Sequence, residues 1–324
     1  MGGGARPVKQ GEKLVEMGMV GLGRMGGNMV LRLLKRGHRT IAFDLSPDAV
    51  KTFEAKGAVS ASSFEDFAGK FQTKPRVMWV MVPAGDPTTQ TIDKLIELGE
   101  PGDIIIDGGN TNWKMAMLDC ARVKVKGMHY MDAGTSGGIW GLEYGYCLMV
   151  GAEQETYDHC LPLLKDLAPD DGGLVRAGPE GSGHFVKMVH NGVEYGLMQA
   201  YAEGFQVMKL SKAFPDMSMH DIAEAWRTGS VVRSWLLDLI ARGLEQDPEL
   251  AGIKGWVDDT GEGRWTVEAA IDESVPVPII AESLFARFRS RMENTFGDRM
   301  LAMMRNQFGG HAVVTDAAGE ASRK

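Results

Sequence analysis

The feature that most constrains the fold of this chain is a glycine-rich turn between a short apolar strand and a helix. Residues 17–20 predict the strand, residues 21–26 read GLGRMG, and residues 28–35 predict the helix. A second predicted strand, 40–43, ends directly before Asp44. Strand, glycine turn, helix, strand and acid in this order are typical of a dinucleotide-binding unit.

Each part of this pattern has a physical role in binding a dinucleotide. The glycines allow a tight turn and a close backbone approach, and N–H groups at the helix N-terminus attract the pyrophosphate. Asp44 would accept hydrogen bonds from the adenosine ribose and repel a 2′-phosphate, so we expect NAD rather than NADP. The alternative is a glycine turn kept only for helix packing. The cofactor-binding residues predicted in the turn are Gly21, Leu22, Gly23, Arg24, Met25 and Gly26.

Strand and helix patterns alternate up to about residue 178, which predicts an α/β fold with a Rossmann-type, doubly wound parallel sheet. Ligands on such sheets bind beyond the carboxyl ends of the strands. Val82, Pro83 and Ala84 follow one predicted strand and are expected to contact the cofactor. Asn110 follows another, where it would reach the nicotinamide ribose or the substrate.

A loop of small residues, 133–138, is predicted to follow the strand 129–132. Its last three residues, Ser136, Gly137 and Gly138, would present backbone N–H groups that can cradle a carboxylate. A simple turn is the alternative interpretation.

The segment 182–195 predicts a helix with one unusually polar face. A lysine can accept and return a proton, a histidine and an asparagine can fix hydroxyls, and a glutamate can donate a second proton. From periodicity alone, a solvated face is an equal alternative. At about 100° per residue, five polar side chains share this face: Lys187, His190, Asn191, Glu194 and Tyr195.

Composition excludes several classes of function. Lys plus Arg number 35 against 43 Asp plus Glu, and the formal charge of −8 argues against nucleic acid or an anionic membrane as the main partner. Cys120, Cys147 and Cys160 lack the spacing of a zinc site, so we expect no metal there and reduced, buried thiols in a cytoplasmic protein.

The chain of 324 residues is long enough for two domains. We predict a flexible leader at 1–16, a dinucleotide-binding domain at 17–178 and an all-α domain at 179–324, because only helical patterns follow the glycines near residue 178.

Six motifs carry a family resemblance: IIDGGN at 105–110, SGG at 136–138, HFVKMVHNGVEY at 184–195, GRWT at 263–266, FAR at 285–287 and RNQFGGH at 305–311. From about Met17 to His311 the chain resembles the decarboxylating 6-phosphogluconate dehydrogenases, and within them the short, NAD-type branch. The resemblance implies oxidation of 6-phosphogluconate to ribulose 5-phosphate and CO₂ in the pentose phosphate pathway.

The resemblance also implies catalytic roles for two residues of the polar helix face. Lys187 would accept the proton of the C3 hydroxyl as hydride leaves C3, and would then serve the enolate oxygen that forms when CO₂ is lost. Glu194 would then protonate C1 of the enediol that remains after CO₂ is lost. A lysine that begins neutral requires desolvation or a nearby positive charge. No metal is implied, because the ketone is itself the electron sink.

Substrate-binding residues follow from the same resemblance. The phosphate would be held by Tyr195, Arg287 and Arg305, with His311 beside them. In the family the C-terminal segment reaches the neighbouring active site, so we expect a helical substrate and dimerisation domain in an obligate homodimer, which could form tetramers. The residues expected on the carboxylate and hydroxyls are Asn110, Ser136, Gly137, Gly138, His190 and Asn191.

The sequence also departs from longer family members. Thr260 and Glu262 replace a phosphate-binding lysine and a threonine, and Ile139 and Trp140 replace paired glutamates. Glu262 near a phosphate would weaken its binding. Two alternatives therefore stand beside the first interpretation. One is a β-hydroxyacid dehydrogenase of the hydroxyisobutyrate type, which would not need Glu194, and the other is a cofactor-binding or assembly protein that has lost turnover.

Overall fold

The computed structural model describes residues 14–314, which form two compact units. The first unit runs to Val193 and also includes Glu262–Ser274, and the second contains Glu194–Gly261 and the chain from Val275 onwards. Most of the predicted leader, residues 1–13, lies outside the described residues. Val15 and Glu16 are buried, so the packed chain begins before the expected boundary at residue 16.

The first unit is built on one sheet of eight strands in the order β3-β2-β1-β4-β5-β6-β7-β8. The strands are β1 (Met17–Val20), β2 (Thr40–Phe43), β3 (Val59–Ser60), β4 (Val77–Val80), β5 (Ile104–Asp107), β6 (His129–Ser136), β7 (Cys147–Ala152) and β8 (Leu174–Gly178). The order reverses at β1, as expected for a doubly wound sheet, and the predicted fold class is confirmed.

Two expectations about this sheet are wrong. β7 runs antiparallel to β6, because the connection between them is too short to return the chain through a parallel crossover. The residues 133–136, expected in a loop, instead extend β6 as far as Ser136. Their backbone groups pair with β7, and this partner could not be identified from the local sequence.

Helices cover both faces of the sheet, because alternate residues of its strands are apolar on either side. Trp79 of β4 belongs to one hydrophobic cluster and Met78 to the other. The first seven helices are α1 (Arg24–Lys35), α2 (Pro47–Glu54), α3 (Phe64–Gly69), α4 (Asp86–Leu98), α5 (Trp113–Val125), α6 (Gly141–Tyr144) and α7 (Gln154–Leu167).

The second unit is helical in the part that the structure describes, and a small core centred on Leu237 and Ala241 holds it together. No helix within residues 14–314 has both the length and the apolar content needed to cross a bilayer. The remaining helices are α8 (Ser182–Lys209), which passes from the first unit into the second, α9 (Met219–Arg227), α10 (Trp235–Gln246), α11 (Glu262–Asp272) of the first unit, α12 (Pro278–Ser290) and α13 (Phe296–Gly309).

The start of α8 lies directly on the sheet because glycines leave no side chains in between. A Cβ atom on Gly134 of β6 would overlap the Cβ of Lys187. A Cβ on Gly151 of β7 would overlap Asp132 and lie 2.8 Å from the backbone nitrogen of Gly183. The first turn of α8 is therefore fixed against β6 and β7.

We expect Gly151→Ala to lower the free energy of unfolding of the first unit by about 3 kcal/mol, because backbone atoms on both sides must move to admit the methyl group. Gly69→Ala in α3 is the matched control, since its Cβ would meet no atom within 4 Å. Thermal and urea unfolding of both variants measure the difference. Equal stabilities would show that the approach of α8 to the sheet is not close.

Candidate active site

The glycine turn after β1 has the geometry of an anion-binding helix N-terminus. Gly21 adopts a positive φ of 99°, and a side chain on Gly26 would overlap the Gly21 carbonyl. Gly23 is the N-cap of α1, and no side chain among the described residues caps the helix there. Apart from its chain neighbours, no residue of 14–314 comes within 4 Å of a Cβ built on Gly23, so a phosphate can approach the backbone. The turn therefore fits the pyrophosphate of a dinucleotide.

Asp44 is fixed beside this turn at the end of β2. Its Oδ2 accepts a hydrogen bond from Leu22 N at 2.7 Å, and its Oδ1 accepts one from Ser46 N at 2.8 Å. Each carboxylate oxygen retains a second lone pair. Asp44 can thus accept hydrogen bonds from a ribose diol without losing the contacts that position it.

Asn110 follows β5 at the edge of the sheet where the predicted ligand residues collect. Its φ of 54° is uncommon for a residue other than glycine, and its Oδ1 is buried without a hydrogen-bond partner among residues 14–314. A buried, unsatisfied amide oxygen is unfavourable unless a ligand supplies a donor. Val82, Pro83 and Ala84 follow the neighbouring strand β4, as expected from the sequence.

Ser136 and the two glycines after it end β6 close to α8. Gly137 and Gly138 have positive φ values of 123° and 52°, which turn the chain sharply after the strand. Ser136 Oγ lies 3.4 Å from His190 Nε2. The structure thus brings the predicted small-residue turn and the predicted polar helix face together within the first unit.

Lys187, His190 and Asn191 form one hydrogen-bonded group on α8. Lys187 Nζ donates to Asn191 Oδ1 at 2.7 Å and lies 3.5 Å from His190 Nδ1. His190 Nδ1 is 2.9 Å from the same Asn191 oxygen, which can only accept. His190 therefore carries its proton on Nδ1 when neutral, and its Nε2 is an acceptor that faces Ser136.

Burial on α8 is the reverse of a solvated polar face. Lys187 is 5% exposed, whereas Val193, an apolar residue on another side of the same helix, is 49% exposed. Burial of a lysine amine is unfavourable unless hydrogen bonds or opposite charges compensate for the loss of water. The interpretation of this face as a solvated surface is therefore wrong.

Beneath this group lies a set of fully buried ionisable residues. Asp107 and Asp132 are register partners on β5 and β6, and His184 Nε2 lies 3.3 Å from Asp107 Oδ2. Burial opposes charge on both members of that contact, yet the Asp107 carboxylate raises the pKa of His184 above its ordinary value. The His184 charge in turn holds the pKa of Asp107 below its ordinary value despite burial. The two therefore form a buried ion pair.

No role was predicted from the sequence for Asp107, Asp132 or His184. Two acids at the ends of consecutive predicted strands, together with the histidine that opens the helix motif, were the available signal. Parallel strand ends meet at one edge of a sheet, so these acids would be neighbours if their strands were adjacent.

The second unit contains the residues predicted for a phosphate. Tyr195 is buried, and the Arg287 guanidinium carbon lies 3.5 Å from its ring centroid, a close cation–π contact. Thr260 N donates to the Tyr195 hydroxyl at 3.3 Å, and Arg287 Nη1 donates to the Asp258 carbonyl at 2.8 Å. Tyr195, Arg287 and Thr260 are thus held together within this unit.

The other predicted residues have separate positions. Glu194 is half-buried on α8, directly before Tyr195. Arg305 lies exposed on α13, and His311 follows that helix, where its carbonyl accepts from Asn306 Nδ2 at 2.9 Å. Glu262 is buried in the first turn of α11, in the first unit. Among the cysteines, Cys120 and Cys160 are buried, but Cys147 at the start of β7 is exposed, contrary to expectation.

The chain matches two family descriptions along nearly its whole length. Residues 16–176 match the NAD binding domain of 6-phosphogluconate dehydrogenase, and residues 183–317 match the C-terminal domain of the same enzyme. An NAD(+)-dependent, decarboxylating 6-phosphogluconate dehydrogenase of Haloferax volcanii is 41% identical over 301 residues, which are 93% of this chain and 99% of that protein.

Solved structures show the same fold. A Plasmodium falciparum 6-phosphogluconate dehydrogenase superposes with a TM-score of 0.79 at 26% identity, over 93% of this chain and 66% of the longer Plasmodium chain. A 3-hydroxyisobutyrate dehydrogenase of Mycobacterium tuberculosis superposes with a TM-score of 0.67 at 22% identity, over 84% of this chain and 91% of that chain. The second likeness concerns the fold alone.

We expect Asp44→Ser to reduce the preference for NADH over NADPH by about tenfold, because it removes a carboxylate that would repel the 2′-phosphate. Asp48→Ser is the matched control, since Asp48 is an exposed acid in the first turn of α2. Fluorescence titration of both dinucleotides gives the ratio of dissociation constants. An unchanged ratio in Asp44→Ser would remove Asp44 from the ribose site.

Proposed function

The chain belongs to the 6-phosphogluconate dehydrogenase family, and on this premise we propose that it oxidises and decarboxylates 6-phosphogluconate to ribulose 5-phosphate with NAD. The observation that carries the proposal is the hydrogen-bonded group of the buried Lys187 with the half-buried His190 and Asn191, beside Ser136. A buried lysine among hydroxyl-binding side chains suits acid–base chemistry on a polyol. We place this reaction in the pentose phosphate pathway of the cytoplasm.

Lys187 acts first as the general base. A base must begin neutral, and removal of an amine from water favours its neutral form. Its neighbours Asn191 and His190 hold Nζ in place, so the C3 hydroxyl proton passes to a nitrogen with a fixed position. Bound NAD supplies the hydride acceptor. The Asn110 oxygen, which has no partner within residues 14–314, accepts from a substrate hydroxyl, and backbone N–H groups of the turn at Ser136 donate to the substrate carboxylate.

Oxidation at C3 gives a β-keto acid, which loses CO₂ because the ketone accepts the electron pair of the breaking bond. Lys187, now an ammonium, donates a hydrogen bond or its proton to the enolate oxygen that forms. Glu194 then protonates C1 of the enediol. Glu194 lies seven positions after Lys187 on α8, about 10 Å along the axis, which suits two groups that act at different atoms of the substrate.

The phosphate end of the substrate is assigned to Tyr195, Arg287 and Arg305. Arg287 already donates to a carbonyl and stacks on Tyr195, so its side chain is held in one conformation. Its remaining N–H groups can donate to phosphate oxygens. Thr260 contributes a backbone donor rather than a lysine charge. Phosphate binding therefore relies on arginine more than it does in the longer relatives.

A second candidate is a hydroxyisobutyrate-type dehydrogenase, the alternative left open by the sequence. That reaction needs the cofactor site, the turn at Ser136 and Lys187, but neither Glu194 nor Arg287. The release of CO₂ separates the two reactions.

We also propose that the chain acts as a homodimer whose C-terminal segments complete the neighbouring sites, with Arg305 and His311 in the shared part. α13 supports this because none of its residues is buried in the single chain, and Phe296 and Phe308 are 69% and 96% exposed. Such apolar exposure on one helix is typical of a surface that another chain covers.

The central test is steady-state kinetics of the purified protein with 6-phosphogluconate and NAD. We expect one CO₂ released per NADH formed. NADH production from 3-hydroxyisobutyrate, with none from 6-phosphogluconate, would overturn the proposal in favour of the second candidate.

Two variants test the assigned acids. Lys187→Met should lower kcat by about 10³-fold and Glu194→Gln by about 10²-fold, since each removes one proton transfer. The dissociation constant for NADH should stay within about twofold in both, because neither residue belongs to the glycine turn. Lys114→Met is the control, since Lys114 is a surface lysine paired with Asp272. Retained turnover in Lys187→Met would exclude it as the base.

A mixing experiment tests the shared site. Arg305→Ala should raise KM for 6-phosphogluconate about tenfold or more, because an arginine–phosphate contact is lost. Exchange of its subunits with inactive Lys187→Met subunits should restore sites of normal KM, about a quarter of the total, if the neighbour supplies Arg305. Absence of restoration in verified mixed dimers would place Arg305 in its own subunit's site.

A further inference from the structure

The reaction proposed above uses Asn110 and Lys187, and the position of each depends on the backbone segment that carries it. Asn110 stands in a turn with positive φ, and Lys187 stands one helical turn after His184. The turn that holds Asn110 and the first turn of α8 must keep a constant separation, because reacting groups misplaced by about 1 Å can slow a reaction about 10²-fold.

Asp107 anchors the turn that holds Asn110. Its Oδ1 accepts from Gly109 N at 2.9 Å, which bends the chain directly after β5, and its Oδ2 accepts from the Tyr130 hydroxyl at 3.1 Å. Gly108, between them, lies against the Trp79 ring so closely that a side chain there would overlap the indole nitrogen. The position of the turn is therefore tied to the Asp107 carboxylate.

His184 connects this anchor to α8. Its ring is fully buried, its Nε2 lies 3.3 Å from Asp107 Oδ2, and its backbone N–H donates to Asp132 Oδ2 at 2.7 Å. Gly181 N donates to the other oxygen of Asp132 at 2.6 Å. One residue thus joins the ends of β5 and β6 to the first turn of the helix.

Stability alone does not account for this arrangement. Two buried carboxylates side by side repel each other, and a buried ion pair is often no more stable than apolar side chains of similar volume. Both ring nitrogens of His184 are also buried without a hydrogen-bond partner within residues 14–314, so its contact with Asp107 is an ion pair and not an aligned hydrogen bond. The arrangement of Asp107, Asp132 and His184 is therefore unfavourable for stability, which is consistent with a requirement that it hold the strand ends and α8 in a fixed geometry.

We propose that His184 is a positioning residue of the active site, whose buried ion pair with Asp107 locks the Asn110 turn to the first turn of α8 and so sets Lys187 relative to Asn110. The proposal rests on the function proposed above. It assigns His184 no contact with substrate or cofactor.

The test compares His184→Gln, Asp107→Asn and the double variant. We expect each single variant to lower kcat for 6-phosphogluconate about 100-fold while the dissociation constant for NADH changes less than about twofold. Because both changes break the same link, the double variant should lose little more than either single one. Losses that multiply in the double variant would overturn the proposal. If His184→Gln fails to fold, Asp107→Asn compared with the control decides alone.

Arg76→Gln is the matched control. Arg76 directly precedes β4, and Asp103 directly precedes β5, at the opposite end of that strand from Asp107. The two form another buried ion pair, with Arg76 Nε 2.7 Å from Asp103 Oδ2. Its loss should lower the melting temperature but leave kcat within about threefold, because it adjoins no predicted site residue. If Arg76→Gln lowers kcat as much as His184→Gln or Asp107→Asn does, the effect is one of stability and the proposal fails.

Hydrogen–deuterium exchange of the ligand-free protein separates this proposal from the proposed function. In His184→Gln, or in Asp107→Asn if needed, peptides that cover 107–112 and 181–188 should both exchange faster, whereas in Arg76→Gln they should match the unchanged protein. That result would support the lock even if 6-phosphogluconate proves not to be the substrate. Unchanged exchange in both peptides would overturn the lock whatever the substrate is.

Discussion

The Asp132 carboxylate binds the backbone N–H groups of Gly181 and His184, and the position of α8 depends on this contact. An anion at a helix N-terminus satisfies donors that have no partner within the helix and interacts favourably with the helix dipole. Burial raises the pKa of Asp132, and the His184 charge and the two N–H groups oppose that effect. Because the acid comes from β6, the helix starts at a point defined by the sheet, and Lys187 falls over Gly134.

The same edge of the sheet therefore holds both the glycine turn and the start of α8. Gly21 follows β1 at the reversal, whereas Asn110 and Ser136 lie at the ends of β5 and β6, both on the β4 side of it. A dinucleotide bound along this edge would extend from Asp44 toward Asn110. The distances among the first-unit residues are set by a rigid element, which is what acid–base chemistry on a flexible polyol requires.

Local spacing was enough to predict the glycine turn, Asp44 and the polar face of α8, because each is encoded by residues close together in the sequence. Nonlocal pairing was not accessible in this way. Residues 133–136 form a strand only because β7 lies beside them, and His184 meets Asp107 only because β5 and β6 are neighbours. Periodicity separated a polar face from an apolar face on α8 but could not tell which one is buried. Hydrophobicity alone would bury Val193 and expose Lys187, whereas the structure buries Lys187 and exposes Val193. The bounds of α11 were not predicted from the sequence either.

The first unit is discontinuous, since the chain leaves it at Val193 and rejoins it at Glu262. α11 fills a place against α8, where Thr266 Oγ1 donates to the Met188 carbonyl at 2.8 Å and its side chain occupies the space over Gly192. During synthesis on the ribosome, the sheet can form as soon as β8 has emerged, but this side of α8 stays uncovered until the residues of α11 follow. Part of α8 must therefore stay open to water in the nascent chain while the intervening helices are translated. A gene fragment that ends after the sheet would encode an incomplete unit.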